Sequence, residues 1–151
     1  MEWLYWIAVF LATFCFMEFM AWFTHKFIMH GFLWSLHRDH HKKDHGSWFE
    51  RNDAFFLFYA VVSMSFIGLA VYRDFWPGWP IGLGILAYGI AYFIVHDIFI
   101  HQRFKLLRNA NNWYARGIRR AHKMHHKHLG KEDGECFGML LVPFKYFRKQ
   151  S

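Results

Sequence analysis

Cysteine, proline and acid are all scarce in this chain of 151 residues. The two cysteines, Cys15 and Cys136, stand far apart with no C-x-x-C pair. That excludes a thiolate zinc site and leaves no disulfide framework; both are read as reduced and structural. Three prolines leave long stretches free of helix breakers, and two of the three fall in "RDFWPGWP", residues 73–80. Acids number 11 against 18 Lys and Arg. The E-x-x-H pairs of carboxylate di-iron bundles are absent, as are H-E-x-x-H and the zinc-deaminase pattern. A basic n-region is missing too: Glu2 stands where a secretory signal would carry a base, and no small-residue cleavage site follows the first apolar run.

Apolar surface is what the chain has in excess. Hydrophobic residues make up 55% and aromatics 23%, yet the net charge is +7, so polar and apolar residues must be segregated. They fall in blocks. Trp3–Thr24, Ala54–Tyr72 and Ile81–Ile100 are long and apolar enough to span a bilayer, at roughly 33, 28 and 30 Å of helix. Residues 73–80 predict a tight turn whose Trp76 and Trp79 suit a membrane interface. Asn52 or Asp53 offers a helix N-cap before the second run.

Bases set the orientation. Residues 25–53 hold five Lys/Arg, residues 101–151 hold twelve, and Arg73 is the remaining one. The positive-inside rule puts both polar segments in the cytoplasm, with the N-terminus and the 73–80 turn outside. This distribution accounts for the basic charge without a nucleic-acid partner. The expected fold is all-α: an integral membrane helical bundle of three to four spans under a cytoplasmic, histidine-rich, metal-binding cap, forming one domain over residues 1–151.

Twelve histidines are present, and ten follow a pattern. "HKFIMH" (His25, His30) ends the first span and "HRDHH" (His37, His40, His41) follows. "HDIFIH" (His96, His101) ends the third span and "HKMHH" (His122, His125, His126) follows. One unit thus occurs twice: apolar helix, H-x-x-x-x-H, basic linker, H-x-x-H-H. In a helix the second box places its imidazoles on one face, able to point at a common centre. The first box does not, because five residues of α-helix leave the pair about 140° apart. Both members reach a metal only if the helix ends or distorts nearby; Gly31 permits that after His30, whereas "HQRF" after His101 is a less obvious break.

Ten imidazoles exceed what one ion accepts, so two metals with four or five nitrogens each fit the count. Imidazole suits Zn, Cu, Fe or Ni. A nitrogen-ligated dinuclear centre of neutral ligands would be strongly electrophilic, which favours oxygen activation by iron over water activation by a single zinc. His45 and His128 lie outside the boxes, as outer partners or surface residues. Asp97, beside His96, is placed either to accept an imidazole N–H or to sit solvated at a helix end. Glu18, one face and about 10 Å deeper than His25, is expected to make an inward polar contact instead of binding metal. Tyr88 and Tyr92 share a face with His96 and either pack between helices or line an approach to the metals.

With these phrases assembled, the chain resembles the bacterial-type β-carotene 3-hydroxylases of the fatty-acid-hydroxylase and sterol-desaturase superfamily. "MEFMAWFTHKFIMHG", "HRDHH", "FERND", "AYFIVHDIFIHQR", "AHKMHH" and "GKEDGECFG" carry the resemblance, in order, over nearly the whole chain. The tail "FKYFRKQS" after Pro143 contains no such landmark. The resemblance implies a non-haem di-iron monooxygenase in a bacterial inner membrane that takes O₂ and two electrons from a ferredoxin-type donor. It would hydroxylate C3 of a carotenoid β-ionone ring, converting β-carotene to β-cryptoxanthin and then zeaxanthin, with the ten box histidines as iron ligands. The expected partners are thus a lipid-soluble carotenoid, that donor and membrane lipid. Histidine geometry leaves open the other reactions of the superfamily: fatty-acyl or sterol hydroxylation, desaturation, or carotenoid ketolation. A membrane metal transporter is a further alternative, which would place its ligands near the bilayer midplane on broken helices.

Overall fold

The computed structural model describes residues 2–42, 46–130, 132 and 134–148, and these residues contain helices and loops without a strand. Helix α1, Glu2–Phe23, runs on through a π-wound segment, Thr24–Phe32, and a short helix α2, Trp34–His41, follows. Helix α3 covers Asp53–Arg73; α4, Gly78–Phe93, runs on through a second π-wound segment, Ile94–Ile100. Helix α5 spans Trp113–His125, and a 3₁₀ turn, Phe144–Phe147, closes the described chain.

Three of these helical stretches, Glu2–Phe32, Asp53–Arg73 and Gly78–Ile100, are long and apolar enough to cross a membrane. α1 has no Gly or Pro and is apolar all round, with Trp3, Leu4, Leu11, Phe16 and Phe19 exposed; such a helix is solvated by lipid. The third stretch begins earlier than its hydropathy suggests. Pro77 takes the N-cap position and Pro80 falls in the first turn of α4, where a missing N–H costs no helical hydrogen bond. The turn therefore shrinks to a few residues around Asp74, which ends α3 in the left-handed region at φ 51°.

α4 is the common partner of α1 and α3. It achieves close approach with glycine on two faces. A Cβ at Gly82 would sit 2.6 Å from Ile67 Cγ1 and 2.9 Å from Ser63 O, and one at Gly78 would run into Phe66 O. The Ser63 hydroxyl donates to Gly82 O at 2.7 Å across the same contact. On the other face a Cβ at Gly84 would lie 2.9 Å from Thr13 Cβ in α1. Small residues replace hydrophobic burial as the source of helix association in lipid, because apolar area gains nothing there. α4 runs antiparallel to α3 and parallel to α1, so the end of α1, the start of α3 and the end of α4 meet on one side.

Glu18 makes the inward polar contact expected of it, and more. Its carboxylate accepts the backbone N–H groups of Met139, Leu140 and Leu141 at 2.9 to 3.1 Å and the Tyr88 hydroxyl at 2.6 Å. The segment after α5 is thereby strapped down onto α1. Tyr88 belongs to the core with Met17 and Ile85, so helix packing and the polar contact are combined in one residue. The described part of the tail without a landmark, residues 144–148, also has a structural place. Phe147 stacks on Trp113 at 4.4 Å and fills the space left by Gly117 on α5.

Replacing Gly82 by Leu is expected to wedge α3 from α4 and cost about 3 kcal/mol. The thermal unfolding midpoint in detergent checks this; Gly68→Leu, at a glycine with open space around it, is the control.

Candidate metal centre

The distortion that the H-x-x-x-x-H boxes require is π-winding. An i→i+5 ladder turns residues five apart toward one side, where α-helix would separate them. The His101 N–H donates to His96 O at 2.9 Å, and the two rings stand 4.6 Å apart. His25 and His30 are brought to 5.2 Å in the same way. After each box the chain turns sharply. Gly31 leaves the helical region at φ −107°, ψ −126°, and Gln102 is left-handed at φ 52°.

All ten box histidines meet beneath α5 and α2. Their nitrogens form two clusters. His25, His30, His37, His41 and His125 place ligand atoms within 4.8 Å of one another, as do His40, His101, His122 and His126. His96 joins the second group through its Nε2, 3.1 Å from His40 Nε2. The H-x-x-H-H boxes do not point at a common centre, contrary to the expectation from their shared face. In each box the first and last members serve the cluster of their own half, and the middle member crosses over: His40 to the second cluster, His125 to the first. An α-helix turns 100° per residue, so i and i+4 lie about 40° apart while i+3 is about 60° off on the other side.

The hydrogen bonds settle which nitrogen faces inward. The Nδ1–H of His25 donates to Phe137 O, that of His30 to Leu129 O, and that of His125 to Glu135 O, at 2.9 to 3.1 Å. His37 donates to Asn52 Oδ1 at 2.7 Å, His40 to Glu50 Oε2 at 3.0 Å, and His96 to Asp97 Oδ2 at 3.2 Å. With Nδ1 protonated, a neutral imidazole carries a lone pair on Nε2. Those lone pairs face each other: His25 to His37 at 3.1 Å, His30 to His125 at 3.2 Å, and His40 to His96 at 3.1 Å. Neither member of such a pair has a proton to offer, so a cation between them is what makes the arrangement favourable. The spacing suits one, since two imidazoles at about 2.1 Å from a metal and at right angles to each other are about 3.0 Å apart. The donor set therefore fits two nitrogen-ligated metal ions.

Electrostatics agree. Burial first, and the neighbouring imidazoles second, push His40 and His122 well below the usual imidazole range. Burial likewise lowers His37 and His125 to about 3 and His126 to about 4. At neutral pH these rings are uncharged, as metal ligation demands.

The outer partners are only partly those anticipated. Asp97 accepts from His96 and is held in turn by Arg103 at 2.7 Å. Tyr92 packs on His96 at 4.9 Å. His45 lies outside the described residues, and His128 sits past the end of α5, half-buried, outside both nitrogen clusters. Asn52 stands at the N-cap position of α3, but its side chain serves His37 instead of capping. Asp53 accepts the Glu50 N–H and grips Arg103 through both oxygens. Glu50, Arg103 and the carbonyls of Leu129, Glu135 and Phe137 were not among the expected site residues. The phrases "FERND" and "GKEDGECFG" carried three of them, Glu50, Glu135 and Phe137, without a charge or spacing pattern that would assign a role.

Comparison with known proteins places this geometry in context. The profile of the fatty acid hydroxylase family matches residues 10–146. The chain is 38% identical over 143 residues to a β-carotene hydroxylase of Pantoea ananas, covering 95% of this chain and 81% of that one. It is 36% identical over 135 residues to a β-carotene hydroxylase of Paracoccus sp. (strain PC1), covering 88% and 82%. A chloroplastic β-carotene 3-hydroxylase 2 of Arabidopsis thaliana is 39% identical over 133 residues, which is 84% of this chain but 42% of the plant protein. No solved structure matches.

The buried imidazoles make stability pH-dependent. Their folded pKa values lie below the ordinary 6.5, so the unfolded chain binds more protons as pH falls. Stability is full above about pH 6.5 and is lost progressively toward pH 4. Thermal midpoints of chelator-treated protein are expected to hold from about pH 7.5 to about 6.5 and to fall from there to about pH 5; a flat profile would contradict neutral burial of the boxes.

Proposed function

The chain belongs to the fatty acid hydroxylase family, and from that premise we propose that it is a membrane β-carotene 3-hydroxylase working as one membrane-embedded domain. It hydroxylates C3 of carotenoid β-rings, taking β-carotene to β-cryptoxanthin and then zeaxanthin. The observation that carries this reading is the pair of clusters of inward-facing, neutral imidazole nitrogens at the ends of apolar spans. Relatives that carry the name β-carotene hydroxylase support the substrate.

His25, His30, His37, His41 and His125 hold one iron in this proposal, and His40, His96, His101, His122 and His126 hold the other. Bound iron supplies the redox chemistry with O₂ that an unactivated ring C–H requires and that acid–base groups lack. The reaction balances as one C–H plus O₂, two electrons and two protons giving C–OH and water. The chain's own residues orient the ligands and exclude solvent. Carbonyls, carboxylates and the Asn52 amide oxygen on Nδ1 fix the tautomer of His25, His30, His37, His40, His96 and His125, and the buried cap keeps water from the reacting carbon. The electrons come from a ferredoxin-type donor on the polar side, and the excess of bases there supports a cytoplasmic cap in an inner membrane with the N-terminus outside.

Expression in carotene-accumulating cells, followed by pigment chromatography, tests the reaction. Hydroxylated carotenoids are expected; their absence from well-expressed, metal-loaded protein would sink the proposal, and oxygenated acyl chains would reassign it within the family. His41→Ala and His101→Ala probe one cluster each. Turnover should fall at least a hundredfold in both, with bound iron dropping from two per chain toward one while membrane insertion is kept. Two irons per chain in either variant would show that the ligand assignment is wrong.

A further inference from the structure

A cavity of about 320 Å³ opens between α1 and α3, with α4 at its back. Ala21 and His25 line it from the first span, Phe56 and Tyr59 from α3, and Gly89 and Phe93 from α4. It is the place where the π-wound end of α1 exposes one imidazole of the first cluster to the interior of the bundle. The wall is mostly apolar; Asn52, Asp53, Asp97 and Arg103 also border it, but Asn52 is engaged by His37 and the other three by one another. Even the hydroxyls of Thr24 and Tyr59 are spent on each other, 2.6 Å apart. Its mouth is flanked by Leu57, 63% exposed, and Phe56, 46% exposed, on a helix apolar enough to be bathed in lipid. A guest therefore enters sideways from the bilayer.

Gly89 is unlike the other glycines of α4. At Gly82 and Gly84 a Cβ would collide with a neighbouring helix, so those glycines serve packing. At Gly89 a Cβ would meet only Phe56 Cε2, at an ordinary 3.8 Å. Helix contact does not need glycine at this position. What glycine adds there is width in the cavity, which a slim acyl chain does not need and a methylated six-membered ring does.

We infer that this lateral cavity receives the cyclic end of a ring-ended polyene, presents it to the His25 side of the first cluster, and has Gly89 as its size-determining residue. The inference rests on the hydroxylase reading but concerns a separate property, the girth of the entry.

The full chain in detergent micelles, exposed to β-carotene or to open-ended lycopene, gives a direct test by polyene bound per chain, with metal per chain measured in the same sample. Gly89→Ala is expected to bind β-carotene as the parent does. Gly89→Leu should bind it at least tenfold less, hold lycopene within twofold, and keep its metal. Should Gly89→Leu lose metal, Ala21→Leu on the facing wall replaces it, with the same expectation. Undiminished β-carotene binding in the Leu variant, or equal loss of both polyenes, overturns the assignment, as does a parent protein that binds neither. A parent that binds β-carotene without hydroxylating it counts against the proposed reaction alone.

Discussion

Nitrogen lone pairs pressed to about 3 Å from one another are the constraint on which the rest of the structure depends. Water or a proton would relieve the repulsion, but the rings are buried and their neutral form is enforced from behind. In the six rings of these three pairs the Nδ1 proton is committed to an outer acceptor, and those acceptors come from three separate places: the strap after α5, the segment before α3, and the end of the third span. The cap can take its shape only if all three are in register. This is why so many polar groups that touch no imidazole directly are nevertheless tightly held.

Two anchors supply that register. Glu18, deep in α1, takes three successive N–H groups of the strap, and two residues earlier Phe137 O receives the His25 proton. A carboxylate at that depth is costly unless paired, and here its hydrogen bonds run to the segment that orients the first cluster. On the other side Arg103 joins Asp53 at the start of α3 to Asp97 at the end of the third span, while stacking on Trp48 at 4.8 Å. Asp97 in turn holds His96. Each anchor thus ties a membrane helix to the polar segment that must lie over it.

Most of this architecture was legible in the sequence, and the exceptions have physical causes. The apolar runs of α1 and α3 announce themselves because lipid solvation demands length and uniform hydropathy. The start of α4 was misplaced because Pro80 reads as a breaker, although in a first turn it is harmless. The repeat of histidine boxes gave the two clusters, and regular helix geometry said that His25 and His30 could not meet without distortion. That the distortion would be a π-turn was not legible, since no local residue pattern demands it; the nitrogen cluster does. The crossing of His40 and His125 was hidden for the opposite reason. An i+3 neighbour shares a face in a one-sided sense, and only two competing centres reveal the difference in angle. Carbonyl acceptors such as Leu129 O leave no trace in side-chain identity at all.

The exchange of His40 and His125 has a consequence for how the chain matures. Neither nitrogen cluster is self-sufficient within its own half: the first lacks a member until residue 125 has been made, and the second draws one from residue 40. During synthesis the first half alone offers four of its cluster's five imidazoles, and the fifth arrives only when the chain is nearly finished. Once closed, the two sites share a fate, because pulling either box out of place opens both.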